Sequence, residues 1–225
     1  MNTLTSPPVS SLLARLFAES KLADQGFLAR LSPEERVTLL ASAKTDYRGL
    51  YARARDMFLA VSPQTGLLLY MLARASNARQ IVEFGTSFGV STLHLAAAVQ
   101  DNGGGRIIGT EFEAQKAARA RQHLQEAGLE GLVEIREGDA LQTLAHDLPA
   151  RIDLVLLDGA KVLYPQVLAL VEPFLAPGAL LIADNADDSP EYLARVRGNT
   201  RYLSLPFGED VELSQWLGEE RLGEE

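Results

Sequence analysis

The chain has 225 residues, no cysteine and a formal net charge of −9 at pH 7. Without cysteine there is no disulfide, no thiolate nucleophile and no Cys-based zinc or iron–sulfur site. The acidic balance, with no dense Lys/Arg block, argues against nucleic acid or an anionic membrane as partner, and leaves a small molecule as the expected ligand. The length suits one well-buried α/β domain. Met1 to Ser10 lacks a basic segment followed by an apolar run, and no uncharged apolar stretch reaches about 18 residues. A cytoplasmic protein is expected.

From Ser10 to about Ala60 the apolar residues fall at helical spacing: Leu12, Leu13, Leu16 and Phe17 first, then Val37, Leu39 and Leu40 after a helix start at Ser32-Pro33-Glu34-Glu35. Residues 1–60 therefore read as a helical extension that caps a pocket or makes a homodimer contact. Residues 61–218 read as the ligand-binding domain, and 219–225 as an acidic tail. Ser62-Pro63-Gln64 opens a further helix whose run from Leu67 to Leu72 is apolar all round, which predicts burial against a sheet.

After Asn77 strands alternate with helices. Strands are expected near Gln80–Phe84, Arg106–Glu111, Leu132–Arg136, Ile152–Leu157 and Ala179–Ala183. Near-continuous apolar strands separated by helices indicate a parallel sheet covered on both faces. The end differs: Arg201–Leu205 and Val211–Trp216, separated by Pro206 to Asp210, read as an antiparallel hairpin.

Two strand ends carry oxygen ligands. Leu154-Val155-Leu156-Leu157 runs into Asp158-Gly159-Ala160-Lys161, and Leu180-Leu181-Ile182-Ala183 runs into Asp184-Asn185. If the strands are parallel neighbours their tips lie roughly 5 Å apart, and Asp158, Asp184 and Asn185 would converge on one hard cation. The other half looks like a cofactor site. Strand Ile81-Val82-Glu83 enters the turn Phe84-Gly85-Thr86-Ser87-Phe88-Gly89, and a helix starts by Ser91. Gly85 and Gly89 let a ligand approach the backbone, and the helix N-terminus offers free N–H groups. A dinucleotide fingerprint needs Gly-x-Gly-x-x-Gly, so the wider Gly85–Gly89 spacing disfavours NAD. Glu111 closes the next strand about 20 residues on, where such folds hold ribose hydroxyls. Asp139, in Gly138-Asp139-Ala140 after the third strand, is placed either to meet an adenine amino group or to cap a helix.

Together, Glu83-x-Gly85-x-x-x-Gly89-x-Ser91, Glu111, Gly138-Asp139-Ala140, Asp158-x-x-Lys161 and Asp184-Asn185 resemble the class I S-adenosylmethionine-dependent methyltransferases. Within that class they are similar to the metal-dependent catechol and caffeoyl-CoA O-methyltransferases. The resemblance implies a seven-stranded, mostly parallel, Rossmann-like sheet. It also implies that Glu83, Gly85, Ser87, Gly89 and Ser91 surround the methionine end of S-adenosylmethionine, that Glu111 holds the ribose, and that Phe112, Asp139 and Ala140 hold the adenine. Asp158 would border the cofactor and, with Asp184 and Asn185, ligate Mg²⁺ or a similar divalent ion. Lys161 would be the general base for a catechol-like hydroxyl acceptor. Ala160 stands where catechol O-methyltransferases carry a tryptophan, which opens the pocket, and Asp187 and Asp188 read either as additions to the metal site or, preferred, as a solvated loop. Two other readings stay open: a metal-independent methyltransferase of a non-catechol acceptor, and a protein that binds S-adenosylmethionine without turnover.

Overall fold

A computed structural model describes residues 2–42, 46–208 and 210–218; the expected acidic tail and position 209 lie outside the described residues. Seven strands, β1 (Gln80–Phe84), β2 (Arg106–Glu111), β3 (Val133–Glu137), β4 (Ile152–Leu157), β5 (Leu175–Ala183), β6 (Tyr202–Phe207) and β7 (Val211–Trp216), form one sheet in the order β3-β2-β1-β4-β5-β7-β6. β3 to β5 are parallel, while β7 runs antiparallel to both β5 and β6. The strand order reverses between β1 and β4, and in open α/β sheets ligands bind in the crevice beyond such a switch point.

The helices are α1 (Val9–Ala29), α2 (Pro33–Ser42), α3 (Tyr47–Arg53), α4 (Pro63–Ala75), α5 (Val90–Asp101), α6 (Ala114–Ala127), α7 (Ala140–Thr143), α8 (Tyr164–Val171) and α9 (Pro190–Arg197). α5 is the central one, buried at every residue from Val90 to Val99. One stripe of α1 (Val9, Leu12, Leu13 and Leu16) joins the same core as α4, α5, α6 and one face of the sheet. Thr3 and the Tyr70 hydroxyl both donate to Asp101 at the end of α5, which ties the N-terminal segment to α4 and α5. None of the described helices is long and apolar enough to cross a membrane.

Three expectations need correction. α4 starts as predicted, with Ser62 accepting from the Thr65 N–H and Pro63 in its first turn, but it is one-sided. Gly66, Leu69 and Ala73 face α5, while Leu67 and Met71 remain 49% and 63% exposed. A continuous apolar run hides which residues share a face. β5 begins at Leu175, ahead of Pro177-Gly178, because a register irregularity between β4 and β5 accommodates the extra residues. β6 continues through Pro206, which sits on the sheet edge where a missing N–H breaks no ladder.

The second core packs α8 and α9 on the opposite face around Tyr164, Tyr192 and Trp216. Tyr164 is fully buried, edge-on to Phe84 and Tyr192. Its hydroxyl lies 2.8 Å from both the Leu157 and the Asp184 carbonyl oxygens, so one donor pins the tips of β4 and β5 together. Tyr164→Phe leaves those carbonyls short of a donor. It is expected to cost about 1–3 kcal/mol, seen as a lower urea midpoint at unchanged slope.

Candidate active site

Pairing of β1 with β4 and of β4 with β5 sets Phe84, Leu157 and Ala183 side by side. The Asp158 N–H then donates to the Phe84 carbonyl at 2.8 Å and the Asp184 N–H to the Leu157 carbonyl at 2.9 Å. Gly85, Asp158 and Asp184 therefore stand in a row at the carboxyl edge, on the floor of a cavity of about 980 Å³.

At the turn after β1, Gly85 has φ +101°, and a Cβ there would lie 2.6 Å from the Asp158 carbonyl. Only glycine allows both the backbone conformation and this approach. Glu83 lies beneath the turn with no exposure, and accepts from three hydroxyls: Ser91 at 2.7 Å, Thr86 at 2.9 Å and Thr92 at 2.5 Å. Burial raises its pKa even though these hydroxyls favour the carboxylate. Glu83, Gly89 and Ser91 are not among the residues lining the cavity. The Ser91 side chain is turned onto Glu83, so these residues brace the turn and the start of α5 from behind. Ser87, at φ +47°, does face the cavity; its hydroxyl donates to the Phe58 carbonyl at 2.6 Å.

Glu111 lines the opposite part of the cavity, at the end of β2. Its Oε2 accepts from the Ser87 N–H at 2.7 Å and its Oε1 from the Glu113 N–H at 2.8 Å. The Phe112 N–H also acts on this carboxylate, which keeps acceptor capacity for a further donor such as a ribose hydroxyl. Burial raises the Glu111 pKa, against the pull of these N–H groups and the nearby Lys116 ammonium. Lys116 is itself buried and lies over the Phe88 ring. Phe112 presents a half-exposed ring to the cavity, and Ala140 lines it too. Asp139 caps α7 through Leu141 N–H at 3.0 Å and also accepts from Arg48 of α3 at 2.8 Å. Glu111→Ala is expected to weaken S-adenosylhomocysteine binding by roughly 10- to 100-fold in a calorimetric titration; retained affinity would remove the ribose assignment.

The other end is acidic. Asp158 and Asp184 lie within hydrogen-bonding reach of each other, and Lys161 donates to Asp158 Oδ1 at 3.0 Å. Burial pushes both carboxyls up. Asp158 raises Asp184 further, while Lys161 opposes the rise at each. Asn185 has left-handed backbone (φ +48°) and donates its amide to Asp210 at 3.0 Å, and its side-chain carbonyl oxygen has no partner among the described residues. Among the described residues no group of three or more His, Asp or Glu side chains is arranged as a metal site; the set here is two carboxylates and one carboxamide. Two partly buried carboxyls in mutual contact, with an amide oxygen beside them, are a hard-oxygen donor set that a divalent cation would relieve of repulsion.

Sequence reasoning missed Arg48, Tyr51 and Asp210, all of which line the cavity. Asp210 lies far from Asn185 in sequence and reaches it only through the β6–β7 hairpin. Asp187 and Asp188 are exposed in a 3-10 turn, Ala186–Asp188, and do not line the cavity.

Residues 82–186 match the family model described as a methyltransferase domain. A Mycolicibacterium vanbaalenii protein bearing an O-methyltransferase name is 34% identical over 164 residues, covering 70% of this chain and 72% of that one. The catechol O-methyltransferase of Niastella koreensis is 35% identical over 130 residues, which is 56% of this chain and 58% of that protein. The match thus spans less than two thirds of that relative. An O-methyltransferase from Streptomyces achromogenes, solved in complex with S-adenosylmethionine, superposes with a TM-score of 0.64 at 29% identity, covering 80% of this chain and 90% of that one. These matches and the strand-edge cavity define an α/β methyltransferase fold. The chain belongs to the family of class I S-adenosylmethionine-dependent O-methyltransferases.

Proposed function

We propose that this protein methylates a hydroxyl of a small catechol-like acceptor, using S-adenosylmethionine and a divalent cation such as Mg²⁺. The observation that carries the reading is the division of one cavity: Glu111 with acceptor capacity at one end, and Lys161, Asp158, Asp184 and Asn185 together at the other. Similarity to proteins named catechol O-methyltransferase supports the acceptor class.

In this reading Glu111 accepts the ribose hydroxyls, Phe112 packs on the adenine, and the Gly85 turn lets the methionine end approach the backbone. Asp158, Asp184 and Asn185 would hold the cation, which would supply Lewis acidity toward the acceptor hydroxyl. Lys161 accepts the proton from the acceptor hydroxyl at Nζ; lysine suits this because arginine does not shed its proton. The acceptor oxygen then bonds to the methyl carbon as the carbon–sulfur bond breaks, and S-adenosylhomocysteine leaves. The protein's share of the rate is positioning in line and deprotonation.

The 3.0 Å Lys161–Asp158 contact favours a second reading, in which the lysine alone balances Asp158 and no metal is needed. Methyl transfer from labelled S-adenosylmethionine to a catechol panel decides between them. Activity lost in EDTA and restored by Mg²⁺ is expected. Activity indifferent to EDTA would favour the metal-free reading, and no transfer to any hydroxyl would overturn both.

A further inference from the structure

We propose that Tyr51 orients the acceptor, its hydroxyl donating a hydrogen bond to one of the two vicinal oxygens and so selecting which of them is methylated. This rests on the catechol reading above and extends it to the choice of oxygen.

Tyr51 comes from α3, outside the strand-edge motifs. Its side chain lines the cavity, and its ring packs beside Tyr47 against the core cluster that contains Phe84, Ala160 and Tyr164. The small Ala160 lines the same cavity. α3 is held in place at its N-terminal end. Asp46 caps it by accepting from the Gly49 N–H at 3.0 Å, and Arg48 reaches Asp139 while lying within 6 Å of the Tyr47 and Phe112 rings (5.8 and 5.9 Å).

The Tyr51 hydroxyl makes no hydrogen bond within the described protein, although other polar groups of the cavity do. Asp158 is met by the Lys161 ammonium, and the Ser87 hydroxyl is spent on the Phe58 carbonyl. A phenol held in a cavity without a protein partner is a donor available to a ligand. Its proton is secure: burial, and then the charges of Asp158 and Glu111, raise its pKa. Tyr51 lines the same cavity as Glu111 and Asp158, so its hydroxyl opens onto the space that acceptor and methyl donor share in this reading.

Tyr51→Phe keeps the ring and removes only the hydroxyl. The test measures three quantities in wild type and variant with Mg²⁺: the ratio of the two monomethyl isomers formed from 3,4-dihydroxybenzaldehyde, KM for that aldehyde, and the calorimetric Kd for S-adenosylhomocysteine. The isomer ratio is expected to move toward unity and KM to rise, each by roughly 3- to 10-fold, with cofactor-product affinity held within about twofold. An unchanged ratio and KM, or a loss confined to S-adenosylhomocysteine affinity, overturns the inference and leaves the catechol reading standing. A wild type that methylates neither oxygen of the aldehyde overturns the catechol reading, and this inference with it.

Discussion

Lys161→Met is expected to lower kcat by about 10²- to 10⁴-fold, the usual range for a lost general base, while the Kd for S-adenosylhomocysteine changes by less than about threefold. Lys161 follows β4 by only a few residues, and its side chain is 17% exposed with Nζ on Asp158. Methionine fills similar volume but cannot take a proton. It also strips Asp158 of its cation, so the loss could in principle come from the ion pair alone. Lys161→Arg separates the two roles: it restores a positive charge beside Asp158 without a group that deprotonates at working pH. If Lys161→Arg turns over at the wild-type rate, Lys161 is not the base. If both variants are slow and fold normally, the proton-accepting role stands.

Asp184→Ala has the second large effect. It removes one of two mutually repelling carboxyls and leaves Asp158 paired with Lys161. The expected result is a fall in kcat of about 10²- to 10³-fold, the scale of several kcal/mol of Lewis-acid stabilisation, and a residual rate that no longer responds to Mg²⁺ or EDTA. Cofactor affinity should hold, because Glu111, Phe112 and Ala140 lie at the other end of the cavity. A variant that keeps full, Mg²⁺-stimulated activity would remove Asp184 from the metal assignment.

The strand edge was legible in the sequence because β1, β2 and β4 are short apolar runs that end on Gly85, Glu111 and Asp158, and such runs have one interpretation once helices separate them. Residues adjacent along the chain to a strand end were therefore placed correctly in space. Those that depend on side-chain direction were less legible. The Ser91 hydroxyl donates to Glu83 in β1, a direction the sequence does not show: a carboxylate buried in an apolar core needs donors. Prolines misled at β5 and β6 because their cost depends on whether a neighbouring strand needs the missing N–H, which topology decides. Arg48, Tyr51 and Asp210 carried no local signal: each reaches the cavity from an element whose position is set by tertiary packing.

The central claim is a divalent cation held beside the cofactor, and a calorimetric titration of Mg²⁺ into protein saturated with S-adenosylhomocysteine tests it most directly. Saturable binding in the wild type, lost in Asp184→Ala, is the predicted result. Absence of binding in the wild type, or equal binding in the variant, would contradict the site at Asp158, Asp184 and Asn185.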